Sequence, residues 1–158
     1  MANVTIDDLA AASALADADL FEVEQGATSV KATVAQLVQA IPAEIGVACS
    51  DETTVIDATG TKTTFRMPYA MTVTGVRASL TGATTTGTVT VDINDGGTSI
   101  LSTKLTIDAT EKTSTTAATA AIISDSALAD DAEVTVDVDV VGDGTATGLK
   151  IWILGVRT

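Results

Sequence analysis

Ala132-Glu133-Val134-Thr135-Val136-Asp137-Val138-Asp139-Val140-Val141 is the stretch that decides the fold. Successive side chains of a strand point to opposite faces, so Val134, Val136, Val138 and Val140 share one face while Thr135, Asp137 and Asp139 share the other. The strand so predicted has one apolar and one wet side. The same period of two places Val89, Val91 and Ile93 together. Composition agrees: 46% of the residues are hydrophobic but only 3% aromatic, and nearly one in five is Thr. The apolar content therefore sits in Val, Ile, Leu and Ala, and β-branched side chains suit a pleated, half-buried surface.

Working outward, the period predicts strands over 53–58, 62–67, 71–80, 87–94, 98–107, 117–123, 132–141 and 149–157. Asp95-Gly96-Gly97 has hairpin chemistry, and Gly60, Gly82, Gly87 and the 142–148 loop fall between runs. The Asp143 turn is expected to close a hairpin as the Asp95 turn does. Within 71–80 the apolar phase moves from Met71 and Val73 to Val76, Ala78 and Leu80, which predicts a bulge at Gly75. Residues 124–131 read as a helical turn capped by Ser124 or Asp125, with Leu128 pointing inward. About eight short strands predict an antiparallel β-sandwich or jelly roll over 53–158, in a mainly β chain.

The first 42 residues read differently, as a small α+β module. Thr5-Ile6-Asp7-Asp8-Leu9 suggests a capped turn into an Ala-rich segment, Leu20-Phe21-Glu22-Val23 a strand, and Ser29-Val30-Lys31-Ala32 its hairpin partner. Thr33-Val34-Ala35-Gln36 has capping-box spacing, Leu37, Val38 and Ile41 follow at helical spacing, and Pro42 marks the stop. A piece of about forty residues without a disulfide or metal seldom buries enough surface to fold alone. It is expected to dock on something, through Leu9, Leu20, Phe21, Val23, Val34, Leu37, Val38 and Ile41. Residues 43–52, small and polar, read as a linker.

Charge and missing residue types exclude much chemistry. The formal net charge is −13 with no cluster of Lys and Arg, which argues against nucleic acid and anionic membrane as partners. The start Met1-Ala2-Asn3 predicts no secretory leader, and no run of about 18 apolar residues offers a membrane span. The chain contains no His, and its only Cys, Cys49, reads as a small packed residue. Nucleophilic catalysis lacks a base and a nucleophile elbow, and no glycine loop has the setting of a phosphate cradle.

Acidic residues remain. Asp92-Ile93-Asn94-Asp95-Gly96 resembles a calcium loop in part but lacks the distal bidentate acid and continues a strand. Asp137 and Asp139 read as a solvated acidic stripe that discourages edge pairing. Asp125, Asp130 and Asp131 surround a surface turn. No catalytic, metal or cofactor site is expected, and the chain is read as a non-enzyme. In Phe65-Arg66-Met67-Pro68-Tyr69, Phe65 enters the core and Pro68 turns the chain, or the aromatics meet a partner or a sugar. Trp152 sits opposite Ile151 and Ile153 on its strand. Tyr69 and Trp152 are thus the residues marked for a subunit or ligand surface.

Two resemblances bear on role. Ile6-Asp7-Asp8-Leu9-Ala10-Ala11-Ala12, Asp19-Leu20-Phe21-Glu22-Val23, Gln25-Gly26 and Lys31-Ala32-Thr33-Val34-Ala35-Gln36-Leu37 together resemble the N-terminal module of many tailed-bacteriophage fibre and spike proteins. The region from Phe65 to Val156, with Met67-Pro68-Tyr69, Val91-Asp92-Ile93 and Gly148-Leu149-Lys150, is similar to small β-domains of phage and gene-transfer-agent structural proteins. The first resemblance implies a virion-attachment piece. No long shaft follows it, which favours a head spike or head fibre, or a decoration protein, over a receptor-binding tail fibre. The implied partners are capsid or tail proteins of the virion and other copies of the chain, as a homo-trimer or as a pentamer at a vertex. A further fibre protein or a host surface glycan could follow, and the implied location is a virion assembled in the host cytoplasm. The alternative is a tail-fibre or receptor/glycan-binding adhesion module, with calcium as an assisting ion.

Overall fold

The computed structural model describes residues 16, 18–25 and 28–158, and the chain divides after Ile41 into two compact units. The expected turn over Thr5–Leu9, Leu9 itself and the Val23 side chain lie outside the described residues.

In the first unit, β1 (Leu20–Gln25) pairs antiparallel with β2 (Thr28–Thr33), with Leu20 opposite Thr33 and Val23 opposite Val30. Helix α1 (Val34–Ala40) follows without a break. Thr33 caps it reciprocally: its Oγ1 accepts the Gln36 amide at 3.1 Å, and Gln36 Oε1 accepts the Thr33 amide at 2.8 Å. Ile41 is already extended, as a residue before proline tends to be.

The second unit contains β3 (Pro42–Ala48), β4 (Gly60–Arg66), β5 (Met71–Ser79), β6 (Val89–Asp95), β7 (Thr98–Ser99), β8 (Leu101–Thr103), β9 (Leu105–Ile107), β10 (Ile122–Ile123), β11 (Ala127–Leu128), β12 (Glu133–Val141) and β13 (Lys150–Arg157). They form a sandwich-like pair of antiparallel sheets. One has the order β11-β5-β13-β3, the other β4-β12-β6-β7, with β9 also on β6; β8 and β10 make a separate small ladder. Of the valines expected on the core face of the deciding stretch, Val134, Val136 and Val138 are fully buried, as are Val89, Val91 and Ile93 beside them, but Val140 is 48% exposed because the register shifts between Val138 and Val140. Ile151 and Ile153 face them from the other sheet, within a single core cluster.

The expected bulge in β5 is present. Leu154 pairs with Gly75 but Gly155 with Val73, so Thr74 is the extra residue, and inward positions change from odd to even across it. Other expectations fail. The supposed linker begins as β3, an edge strand on β13 whose half-buried Ala43, Ile45 and Val47 alternate with exposed Glu44, Gly46 and Ala48. Small side chains hid that period. Residues 53–58 contribute one isolated bridge, Val55 to Thr147, because the Asp51 carboxylate takes the Thr53 and Thr54 amides into a turn.

The predicted strand over 98–107 is three pieces, and most of 117–123 is irregular after a 3₁₀ turn at Ser114–Thr116. Residues 124–131 are not helical: the Asp125 carboxylate accepts the Ala127 amide, and Ala127–Leu128 joins β5 with Leu128 buried. The 142–148 loop closes no hairpin, since β12 and β13 lie in different sheets and the loop crosses between them. Its Gly142 has φ +63° and packs where a Cβ would stand 2.8 Å from Thr84 Cγ2. Both conditions require glycine there.

Candidate functional site

The wet face of β6 and β12 is less solvated than its sequence suggests. After the Gly96-Gly97 turn, β7 pairs Ser99 with Asn94, but the strand leaves the sheet at Ile100 and returns only where Leu105 pairs with Val91. The excursion leaves Asp92 without a ladder partner on that side, and its carboxylate fills the gap. One oxygen accepts the Ile93 amide at 2.9 Å and the Ser99 hydroxyl at 2.6 Å, and the other meets Lys104 Nζ at 2.9 Å. Asp92 is only 4% exposed. A bulge in β12 makes Asp139 the extra residue between Val138 and Val140 and brings its carboxylate to 2.5 Å from the same Nζ. Bonds to Asp139 and then Asp92 hold the Lys104 ammonium above the ordinary lysine range.

Asp137 lies directly opposite Asp92. Its Oδ2 accepts from Asn94 Nδ2 at 2.9 Å, while Oδ1 is buried without a partner. The expected solvated stripe is therefore a half-covered network, with Asp139 its only exposed acid. The cause is the strand excursion, which periodicity does not register. Asp92 and Asp139 are committed to a lysine, and among the described residues no three acidic or thiol side chains are grouped to hold a metal ion.

Acids also tie down the loops. Asp143 Oδ2 accepts the Thr85 and Thr86 amides at 2.9 Å, and its Oδ1 accepts the Thr145 hydroxyl at 2.6 Å. Thr145 and then the Thr85 hydroxyl hold the Asp143 carboxyl well below its usual range. The Thr54 and Thr53 amides do the same for Asp51, and Lys150 and then Thr81 for Glu52. Cys49, also at this rim, is 6% exposed, and burial pushes its thiol up to about 12 against a weaker opposing bond from the Ile151 backbone.

The two aromatics marked from sequence do not meet in one pocket. Tyr69 packs partly against the core, with the Arg157 guanidinium 3.9 Å from its ring centre, a cation–π pair. Trp152 is on the outer face of β13, between buried Ile151 and Ile153, and lines an open groove of 370 Å³ with Glu44, Arg77, Ser79, Thr113 and Leu154. Arg77 and Gly46 are its cross-strand neighbours on β5 and β3. Sequence reading missed Arg77 and Glu44, because only strand register brings Arg77 opposite Trp152 and Glu44 opposite Leu154. Phe65 packs on the core from β4.

Of the docking residues marked in the first unit, Leu20, Phe21, Leu37, Val38 and Ile41 are exposed, from 36% at Phe21 to 61% at Ile41, and Val34 is half-buried. Leu20, Phe21 and Val30 also line an open 400 Å³ concavity on the hairpin. No protein-family model, curated protein or solved structure matches the chain.

Proposed function

We propose that the chain is a non-enzymatic structural protein of a phage-like virion: a homo-oligomeric head spike, head fibre or decoration protein. Its first unit docks on a capsid or tail protein, and its sandwich projects outward. One observation carries the reading: large apolar side chains of the first unit, Leu20, Phe21, Leu37, Val38 and Ile41, stand exposed. Among the described residues, the buried hydrophobic core lies within residues 49–153. An apolar surface left open on a small hairpin and helix is typical of a segment that completes its burial on a partner. The resemblance of the same residues to phage attachment modules supplies the kind of partner. The Asp92–Lys104–Asp139 network, closed on itself, adds no chemistry that calls for an enzyme.

The test uses the full chain and particles from the cell that encodes it. Mass spectrometry of purified particles is expected to find the protein, and Leu37→Asp with Ile41→Asp to strip it from them without moving the thermal unfolding of the sandwich. Absence of the wild-type chain from particles, or normal incorporation of the doubly substituted chain, overturns the proposal.

A further inference from the structure

Outside the first unit, the groove around Trp152 is the place where unused binding groups converge. Its floor is built by register. Three atoms of the indole's five-membered ring lie within 3.9 Å of where a Cβ on Gly46 would stand, the nearest being Nε1 at 3.1 Å, so the ring rests across the glycine. Any side chain at position 46 would lift it. One row along, Leu154 covers Gly75 in the same way, its Cδ1 3.6 Å from the equivalent point. Two glycines on the flanking strands thus let Trp152 and Leu154 form a low apolar platform along β13.

Charged and hydroxyl groups stand around the platform. Arg77 rises from β5 opposite Trp152 and Glu44 from β3 opposite Leu154, two strand spacings across and two residues along, or about 12 Å apart at the backbone. Both are exposed, and neither belongs to an ion pair among the described residues. The wall beyond Arg77 is the 3₁₀ turn, which presents Thr113 and Thr115, with Ser79 bridged to Thr113.

We infer that this groove is a binding site for a neutral sugar, with a pyranose ring laid on Trp152 and its hydroxyls shared between Arg77 and Glu44. A pyranose has a face of C–H groups that suits an indole and a rim of hydroxyls that both donate and accept. It therefore matches a carboxylate on one side and a guanidinium on the other. A wholly apolar ligand would leave Arg77 and Glu44 desolvated and unmatched. An anionic ligand would face Glu44 and a chain of net charge −13. The inference does not depend on the chain being carried by a virion.

Trp152 is the only tryptophan, so its fluorescence reports on the groove alone. The full chain is screened on an array of neutral and acidic glycans, then titrated with maltotriose, cellotriose, lactose and chitotriose while emission is followed. The expected result is retention of neutral glycans and a saturating change in emission. Arg77→Met and Glu44→Gln, both at exposed positions, are each expected to weaken binding about tenfold, the loss of one charge-assisted hydrogen bond. Gly46→Val, which lifts the indole, is expected to abolish it. Retention of no glycan, or of acidic glycans only, overturns the inference. So does a pair of variants that leaves sugar binding intact and instead shifts the sedimentation coefficient, which would make the groove a contact between copies.

Discussion

Asp143 accepts the backbone amides of Thr85 and Thr86 at 2.9 Å, joining loops 58 and 57 residues apart in sequence at one rim of the sandwich. The folded state holds this carboxyl, and that of Asp51, below the unfolded value. Such a group contributes stability that is present above its unfolded pKa and is lost as pH falls toward the folded one. Asp143→Asn is therefore expected to lower the unfolding temperature at pH 7, with the gap from wild type closing as pH falls below about 4. Thermal unfolding followed by circular dichroism between pH 7 and pH 2 checks this, and a gap that widens in acid would contradict it.

Lys104 serves the opposite sense of linkage. Its folded pKa is raised, so its contribution is present below the unfolded lysine value and is lost only as pH rises through the folded one. Lys104→Met leaves the nearly buried Asp92 with its Ser99 and Ile93 bonds but no cation. Since Lys104 is itself 42% exposed, the expected loss is about 1–3 kcal/mol, below that for a fully buried pair. Adding Asp92→Asn is expected to recover part of it. Urea unfolding of the two variants measures both, and additive losses would deny the coupling.

Gly155 lies against β5 beside its bulge, where a Cβ would collide with the Thr72 carbonyl oxygen and stand 3.0 Å from Met71 Cγ. Gly155→Ala is expected to destabilise the domain by about 1–3 kcal/mol through forced backbone movement. Ala at Gly96, where nothing lies within 4 Å, meets strain from its φ of +54° alone and is expected to cost less. Chemical denaturation of both proteins compares them.

The Cys49 thiol, buried and pushed up to about 12, is almost wholly protonated at pH 8. Ellman's reagent is expected to label it at the rate of unfolding, slowly in buffer and at once in 6 M guanidinium. Rapid labelling of the native protein would mean that the strand end opens locally.

Sequence reading worked best where a side chain's only task is to face the core. Val134, Val136 and Val138 of β12 and the phase change at Gly75 are periodic signals found where the alternation places them, while Val140 is turned outward by the bulge at Asp139. It failed where a carboxylate replaces a strand partner. Asp51 and Asp125 turn the chain by taking nearby amides, so 53–58 and 124–131 adopt neither predicted form. It also failed in β3, whose Ala43 and Gly46 give an alternation too shallow to read. The Trp152 groove was legible only as a single aromatic on an outward position. Its cross-strand members, from Ser79 to Glu44, lie 73 to 108 residues away and meet through pairings that no local pattern encodes.

The antiparallel pairing of β3 with β13 sets Pro42 opposite Val156, so the backbone enters and leaves the sandwich at the same rim. Tension applied through those two points would part the ladder one rung after another from that rim, like a zip, rather than slide all the rungs at once. A tether attached there yields at low force, and anything that must hang from this domain under load is better fastened elsewhere on it.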